Sequence, residues 1–271
     1  MAEQVPFQLR LTGDTADYHQ FQGYDGYMAL AGFAWTLSLA TNFAETGKIR
    51  HRGNFPGRRA VRAYPIDDGS IIAEFSVWLQ NTPQEVFGTV AAVSGAHLLY
   101  GIVQRVVSRN VGRETNTDAA IDQVTRKKAG DFEALVAVSE PSIRQTHDVI
   151  GNGADQISIA GGINILETLD RGTLDYVRMN VEDATPKEGV FTVSAFDANS
   201  GYGRVFDPVI GRGVPVTMVR ENLRRYGSIF SWGLDQYTNR TGGRVHMNYT
   251  RILAADGRPK RYVVTAAERA R

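Results

Sequence analysis

The chain has 271 residues, with 30 Lys+Arg against 29 Asp+Glu and no cysteine. A chain of this length buries about 70–75% of its unfolded surface and needs neither a disulfide nor a metal to hold a core. The missing cysteine excludes disulfide staples, thiolate metal sites and a cysteine nucleophile.

Charge is spread unevenly. From Gly201 to Arg271 there are 13 basic and 5 acidic residues, a balance of +8, whereas the first 200 residues carry −7. The split predicts two modules, the basic one facing an anionic partner. The first residues, Met1 to Phe7, lack a basic stretch followed by an apolar core, so a cytoplasmic or inner-membrane-associated protein is expected and not a secreted one.

Phe7, Leu9 and Leu11 alternate with polar neighbours before Gly13 and predict a strand. A helix rich in Ala, Leu and aromatics follows over residues 24–46, closing at Gly47. A basic loop runs from His51 to Arg62, broken by Gly53, Pro56 and Gly57. Strands are expected at Ala60–Pro65 and Ser70–Leu79, joined by a turn at Asp67-Asp68-Gly69. Pro83 suits the first turn of a helix, and one long apolar helix is predicted over 83–109. Shorter helices are expected at Asp118–Lys128, at Asp131–Ser139 and from Pro141 to Gly151, with a short strand at Gln156–Ala160. Thr173–Met179 is ambiguous, and Asp183–Gly189 reads as a linker. Beyond it, alternation at Val190–Phe196, Val214–Val219, Arg244–Leu253 and Arg261–Thr265 predicts short strands between tight glycine turns, with a helical turn or two in Glu221–Tyr237. The fold class is α+β. An α/β region with two apolar helices fills residues 1–185, and a small SH3-like or OB-like β-barrel fills 186–271.

Gly26–Ala44 and Val86–Gln104 are each 19 residues without a charge. A helix crosses the bilayer core in about 20 residues, and small residues such as those here let membrane helices pack closely. The same composition suits core helices of an ordinary domain. Basic residues both between and after the stretches oppose a two-span hairpin. The second stretch is the better spanning or oligomer-contact candidate, through Val86, Gly88, Val90, Val93, Gly95, His97, Leu98 and Gly101.

In the basic module, arginines are interleaved with Tyr202, Phe206, Tyr226, Phe230, Trp232, Tyr237, Tyr249 and Tyr262. Guanidinium forks match phosphates, and aromatic faces accept unpaired bases. The candidate anion-binding residues are Arg204, Arg212, Arg224, Arg225, Tyr226, Trp232, Arg244, Arg258, Lys260 and Arg261. The competing reading puts the aromatics in the barrel core and pairs the arginines with acidic groups or anionic lipid.

The five histidines are far apart, so no metal is expected. No phosphate-binding loop or nucleophile elbow is present, no cofactor is implied, and an enzyme would need a dispersed site.

Phe7–Gly13, Met28–Thr41, Ser70–Leu79 and Gly95–Gly112 resemble an uncharacterised bacterial family in which an α/β region precedes a small β-barrel. Val193–Val205 and Asp256–Val264 look like that barrel. The resemblance implies a fold and no activity. In outline alone, apolar helices joined to a sensing domain are similar to Hailong-type antiphage membrane effectors.

Three functions are therefore set against one another. The first is a non-enzymatic oligomeric bacterial effector, membrane-active, whose barrel senses a nucleotide or single-stranded nucleic acid. The second is a nucleic-acid-binding, scaffold or structural protein with ordinary core helices. The third is an enzyme with a dispersed site. A homo-oligomer, a nucleic-acid ligand and membrane lipid are the expected partners.

Overall fold

Period-two alternation makes β1 (Glu3–Thr12) the centre of the first sheet: Val5, Phe7, Leu9 and Leu11 are buried while Gln4, Pro6 and Arg10 are exposed. The structure, a computed structural model, describes residues 3–50, 55–64, 71–88, 93–113, 119–254 and 257–270. It forms two units: Met1–Lys127 with Val138–Arg178, and Lys128–Ala137 with Met179–Arg271.

In the first unit the helices are α1 (Gly23–Thr46), α2 (Pro56–Ala60), α3 (Pro83–Phe87), α4 (Gly95–Asn110) and α5 (Ala119–Lys127), then α6 (Ala129–Thr146), shared with the second unit, and α7 (Arg171–Arg178). The sheet is antiparallel throughout, in the order β2 (Val61–Ala63), β3 (Ile72–Leu79), β1, β4 (Gln156–Gly161), β5 (Asn164–Leu169). Phe33 of α1 meets Phe7 and Phe75 edge-to-face, with centroids 6.4 and 5.2 Å apart. Each such fully buried ring contributes roughly 1.5–3 kcal/mol.

Polar groups at the ends of elements are matched within the unit. Glu3 accepts from the backbone N–H groups of Gly95 (2.9 Å) and Ala96 (3.1 Å), so its carboxylate sits at the positive end of α4. Gln104 donates to Leu166 O (3.0 Å) and Arg113 to Thr168 O (2.7 Å), which blocks the free edge of β5 against strand addition. His147 is fully buried, with Nδ1 2.7 Å from Ile143 O and Nε2 3.0 Å from Thr173 Oγ1; burial pulls its pKa down to about 4.

Several expectations are corrected here. The helix over 83–109 is two helices, because Gly88 takes φ 74° and closes α3, and Ser94 caps α4 afresh through the His97 N–H (3.1 Å). Among the described residues no helix is long and apolar enough to cross a membrane. The helices expected on either side of Pro141 are one, α6 with Pro141 inside it, where the ring leaves the Ala137 carbonyl without its helical donor. The stretch Thr173–Met179, ambiguous in sequence, falls in helix α7 up to Arg178, and β5 is a strand the sequence did not announce. The turn expected at 67–69 and residue Val90 lie outside the described residues.

The second unit is a closed five-stranded barrel of β6 (Val181–Phe196), β7 (Tyr202–Asp207), β8 (Arg212–Met218), β9 (Val245–Leu253) and β10 (Pro259–Arg269), with α8 (Arg220–Thr238) between β8 and β9. Around the barrel the order is β6-β7-β8-β10-β9 and back to β6; β8 and β10 run parallel, with Tyr262 beside Val216, and the other pairs are antiparallel. Phe191, Val193, Val205, Val216, Met247 and Val264 fill the interior. Phe230 of α8 is fully buried against it, 5.3 Å from the Phe196 ring. The stretch Asp183–Gly189, read as a linker, belongs to β6, and Asp183 there accepts from Arg251 Nε (3.0 Å) on β9. That contact holds the Asp183 carboxyl down at about 2.

Candidate anion-binding surface on the barrel

The residues proposed from sequence occupy three places. The first lies where β8 and β10 begin. Arg212 donates to Pro259 O (3.0 Å), which ties the start of β8 to the segment that carries Arg258, Lys260 and Arg261. Lys260 Nζ donates to Asn180 Oδ1 (2.7 Å). Arg204, on neighbouring β7, donates to Gly213 O (3.0 Å) and lies 4.0 Å from Glu133, so its charge is largely answered inside the unit.

Arg224, Arg225 and Tyr226 are elsewhere. They lie on α8, which follows the end of β8, whereas Arg212 opens that strand. Arg224 and Arg225 are exposed, and the Arg225 guanidinium sits 5.3 Å from the Tyr226 ring centre. The third place holds Trp232 and Arg244. Arg269 stacks 4.8 Å from the Trp232 ring, and Arg269 with Arg244, His246 and Glu268 lines a cleft of about 630 Å³. His246 Nδ1 is 3.3 Å from Glu268 there, so this cleft mixes both signs of charge.

The first place sets its cations near an exposed aromatic, Phe206. On β7, Tyr202, Arg204 and Phe206 alternate with buried Gly203, Val205 and Asp207, so the three share the outer face. Phe206 is 45% exposed, and the β7–β8 turn continues with exposed Pro208, Val209 and Ile210. Tyr202 and Phe206 were legible in sequence as a Tyr-x-Arg-x-Phe period of two, but their shared face appears only once β7 is placed. Tyr249 and Tyr262, by contrast, are buried in the barrel, where desolvation raises both phenol pKa values.

The residues of the second uncharged stretch do not form one helical face. Val86 is on α3 and Gly88 ends it, while Val93 precedes the cap of α4. Gly95 packs against Glu3 and Leu79, and Gly101 against Ile121, so both close approaches are made within the chain. Leu98 is buried in the same unit, and His97 is exposed. Among the described residues, no three His, Asp or Glu side chains lie close enough together to hold a metal ion.

Neither the curated proteins nor the solved structures give a match. Residues 7–178 match the family described as a domain of unknown function, DUF7946, a range that ends at the last residue of the first unit, and the chain belongs to that family.

Proposed function

We propose that the barrel is of the OB type and binds single-stranded nucleic acid across β7, β8 and the start of β10. Three features of the topology support the type: five strands, a helix between the third and fourth, and a parallel third–fifth pair. In such barrels the second and third strands and the loops beside them take oligonucleotides. The observation that carries the ligand class is Tyr202 and Phe206 on one outer face of β7, beside β8, whose Arg212 is tied to Pro259 at the start of β10. Stacked bases gain about 1–3 kcal/mol each on such rings, and the cations meet the backbone. The protein acts in this reading as a binding module. The channel output is not carried forward, since the stretch assigned to it is broken at Gly88. The test is fluorescence anisotropy of a labelled oligothymidylate at several salt concentrations. Salt-sensitive binding that Phe206→Ala and Arg212→Ala weaken supports the reading, and an absence of binding at low salt rejects it.

A further inference from the structure

Five exposed apolar side chains of the second unit lie at one end of the barrel. β6, β8 and β10 begin at that end and β7 and β9 finish there, because β8 and β10 run parallel and the other pairs antiparallel. Met179, just before β6, is 51% exposed, and Val181, which opens the strand, 50%. The end of β7 and the turn after it add Phe206, Val209 and Ile210, with Val209 91% exposed. Single exposed aliphatic side chains are ordinary, but a group of them at one end of a small barrel marks a contact surface.

Hydrogen bonds stitch these segments together. Arg212 joins the turn to the start of β10 through Pro259 O, and Lys260, the next residue, donates to Asn180 Oδ1 (2.7 Å), between Met179 and Val181. Two cations thus stand among the apolar tips. The turn is also held from inside: Asp207 Oδ1 accepts from Val209 N (2.8 Å), and Asp207 O accepts from Gly211 N (2.9 Å). Val209 is therefore presented to solvent by a fixed backbone.

The chemistry narrows the partner. The apolar side chains stand on strand starts and a tight turn, so they belong to separate projections. A folded partner would have to offer a hollow for each, over the roughly 800 Å² per side of a standard interface. A fluid bilayer closes around any projection, and its anionic headgroups answer the cations between. A free phosphate would use the cations and leave the apolar tips in water. We propose that this end of the barrel docks on an anionic bilayer surface, with Val209 and Ile210 entering between the headgroups and Arg212 and Lys260 meeting lipid phosphates. The contact is peripheral: among the described residues no helix is long and apolar enough to cross. It shares Arg212 with the oligonucleotide face but does not rest on that reading.

Co-sedimentation of the full chain with phosphatidylcholine vesicles, with and without about 30% phosphatidylglycerol, tests it. Half of the protein is bound at about 0.1–1 mM accessible lipid on the anionic vesicles, and at least about tenfold more lipid is needed without phosphatidylglycerol. Val209→Ser combined with Ile210→Ser raises the lipid requirement about fivefold or more. An unchanged melting temperature shows that this variant is folded. The chain has no cysteine, so Val209→Cys takes a single environment-sensitive dye. Its emission shifts to the blue on anionic vesicles, whereas the same dye at Ser228→Cys, on α8 beyond the other end of β8, does not shift. The proposal is overturned if no anionic vesicle binds up to about 5 mM lipid. It is equally overturned if the doubly substituted chain binds like the parent, which leaves charge attraction alone, or if the dye at position 209 stays in water while the protein is bound. Sedimentation without vesicles is the control: self-association that the double substitution abolishes assigns this end to a second copy and overturns the proposal as well.

Discussion

The Tyr262 hydroxyl on β10 donates a 2.6 Å hydrogen bond to Asp207 Oδ2 at the end of β7, past the intervening strand β8, with both side chains buried. Asp207 Oδ1 also accepts from Val209 N (2.8 Å), so one carboxylate fastens the β7–β8 turn to the far strand. That turn carries Phe206 and Arg212 on either side. Tyr262→Phe leaves a buried carboxylate short of a donor and is expected to lower stability by about 1–3 kcal/mol in urea unfolding. It should also weaken oligonucleotide binding, although Tyr262 faces the interior. The phenol pKa is raised well above its ordinary value of 10.0, by desolvation first and then by Asp207. An acid whose pKa is raised by folding stabilises the fold below its unfolded pKa. That contribution falls as pH climbs past about 10, and ultraviolet titration should find this tyrosine protonated until the barrel opens.

Acid acts on the first unit through His147. Its pKa is about 4 in the fold against 6.5 unperturbed, chiefly because burial disfavours the charged ring. The folded state therefore binds fewer protons than the unfolded one between those values. Stability is complete above about pH 6.5 and declines towards pH 4, by up to about 3 kcal/mol. His147→Gln should start less stable at pH 7 and show a flatter acid limb when melting temperature is followed against pH.

Two glycines separate rigid from yielding contacts. A Cβ on Gly32 of α1 would lie 2.6 Å from Ser142 O and 2.8 Å from Thr146 N, backbone atoms of α6. A Cβ on Gly101 of α4 would lie 2.6 Å from Ile121 Cδ1, the end of a side chain. Gly32→Ala is expected to cost about 2–3 kcal/mol, because a helix must shift. Gly101→Ala should cost less, and combining it with Ile121→Ala should be markedly less than additive in denaturant unfolding.

On the barrel, the salt dependence of oligonucleotide binding locates the contact surface. Each phosphate contact contributes roughly 0.7 to the slope of log affinity against log salt for a single strand. Arg212→Ala and Arg261→Ala should each lower the slope by about that much. The pair Arg224→Ala and Arg225→Ala, on α8, should leave it unchanged. The reverse result would move the site to the helix.

The strands that alternate cleanly were legible because period two survives in a single sequence: β1 is visible in Phe7, Leu9 and Leu11, and β3 in Ala73, Phe75 and Val77. β5 was hidden because Ile165 and Leu166 adjoin at a register shift opposite Ile159 and Ala160, which breaks the pattern. The helix over 83–109 was overdrawn because apolar composition outweighed Gly88, whose positive φ is a backbone property. Pro141 misled in the other direction, since α6 runs through it at the loss of one helical hydrogen bond. In the barrel, the grouping of the arginines depends on strand order, which charge and aromatic content do not carry. The apolar end of the barrel escaped because Val181 and Val209 are far apart in the chain, and only the directions of β6, β7 and β8 bring them to one end.

Ten residues from the middle of the chain, Lys128–Ala137, fold with the barrel although they lie inside the stretch that matches the family. Phe132 and Leu135 among them are buried, and Glu133 stands beside Arg204. The boundary drawn along the sequence and the boundary drawn in space are therefore different lines. A cut after Arg178 would sever the barrel from a segment that belongs to the same unit. The barrel is thus laced into its neighbour's sequence rather than appended to it, and an exchange of barrels between relatives would have to carry both segments together.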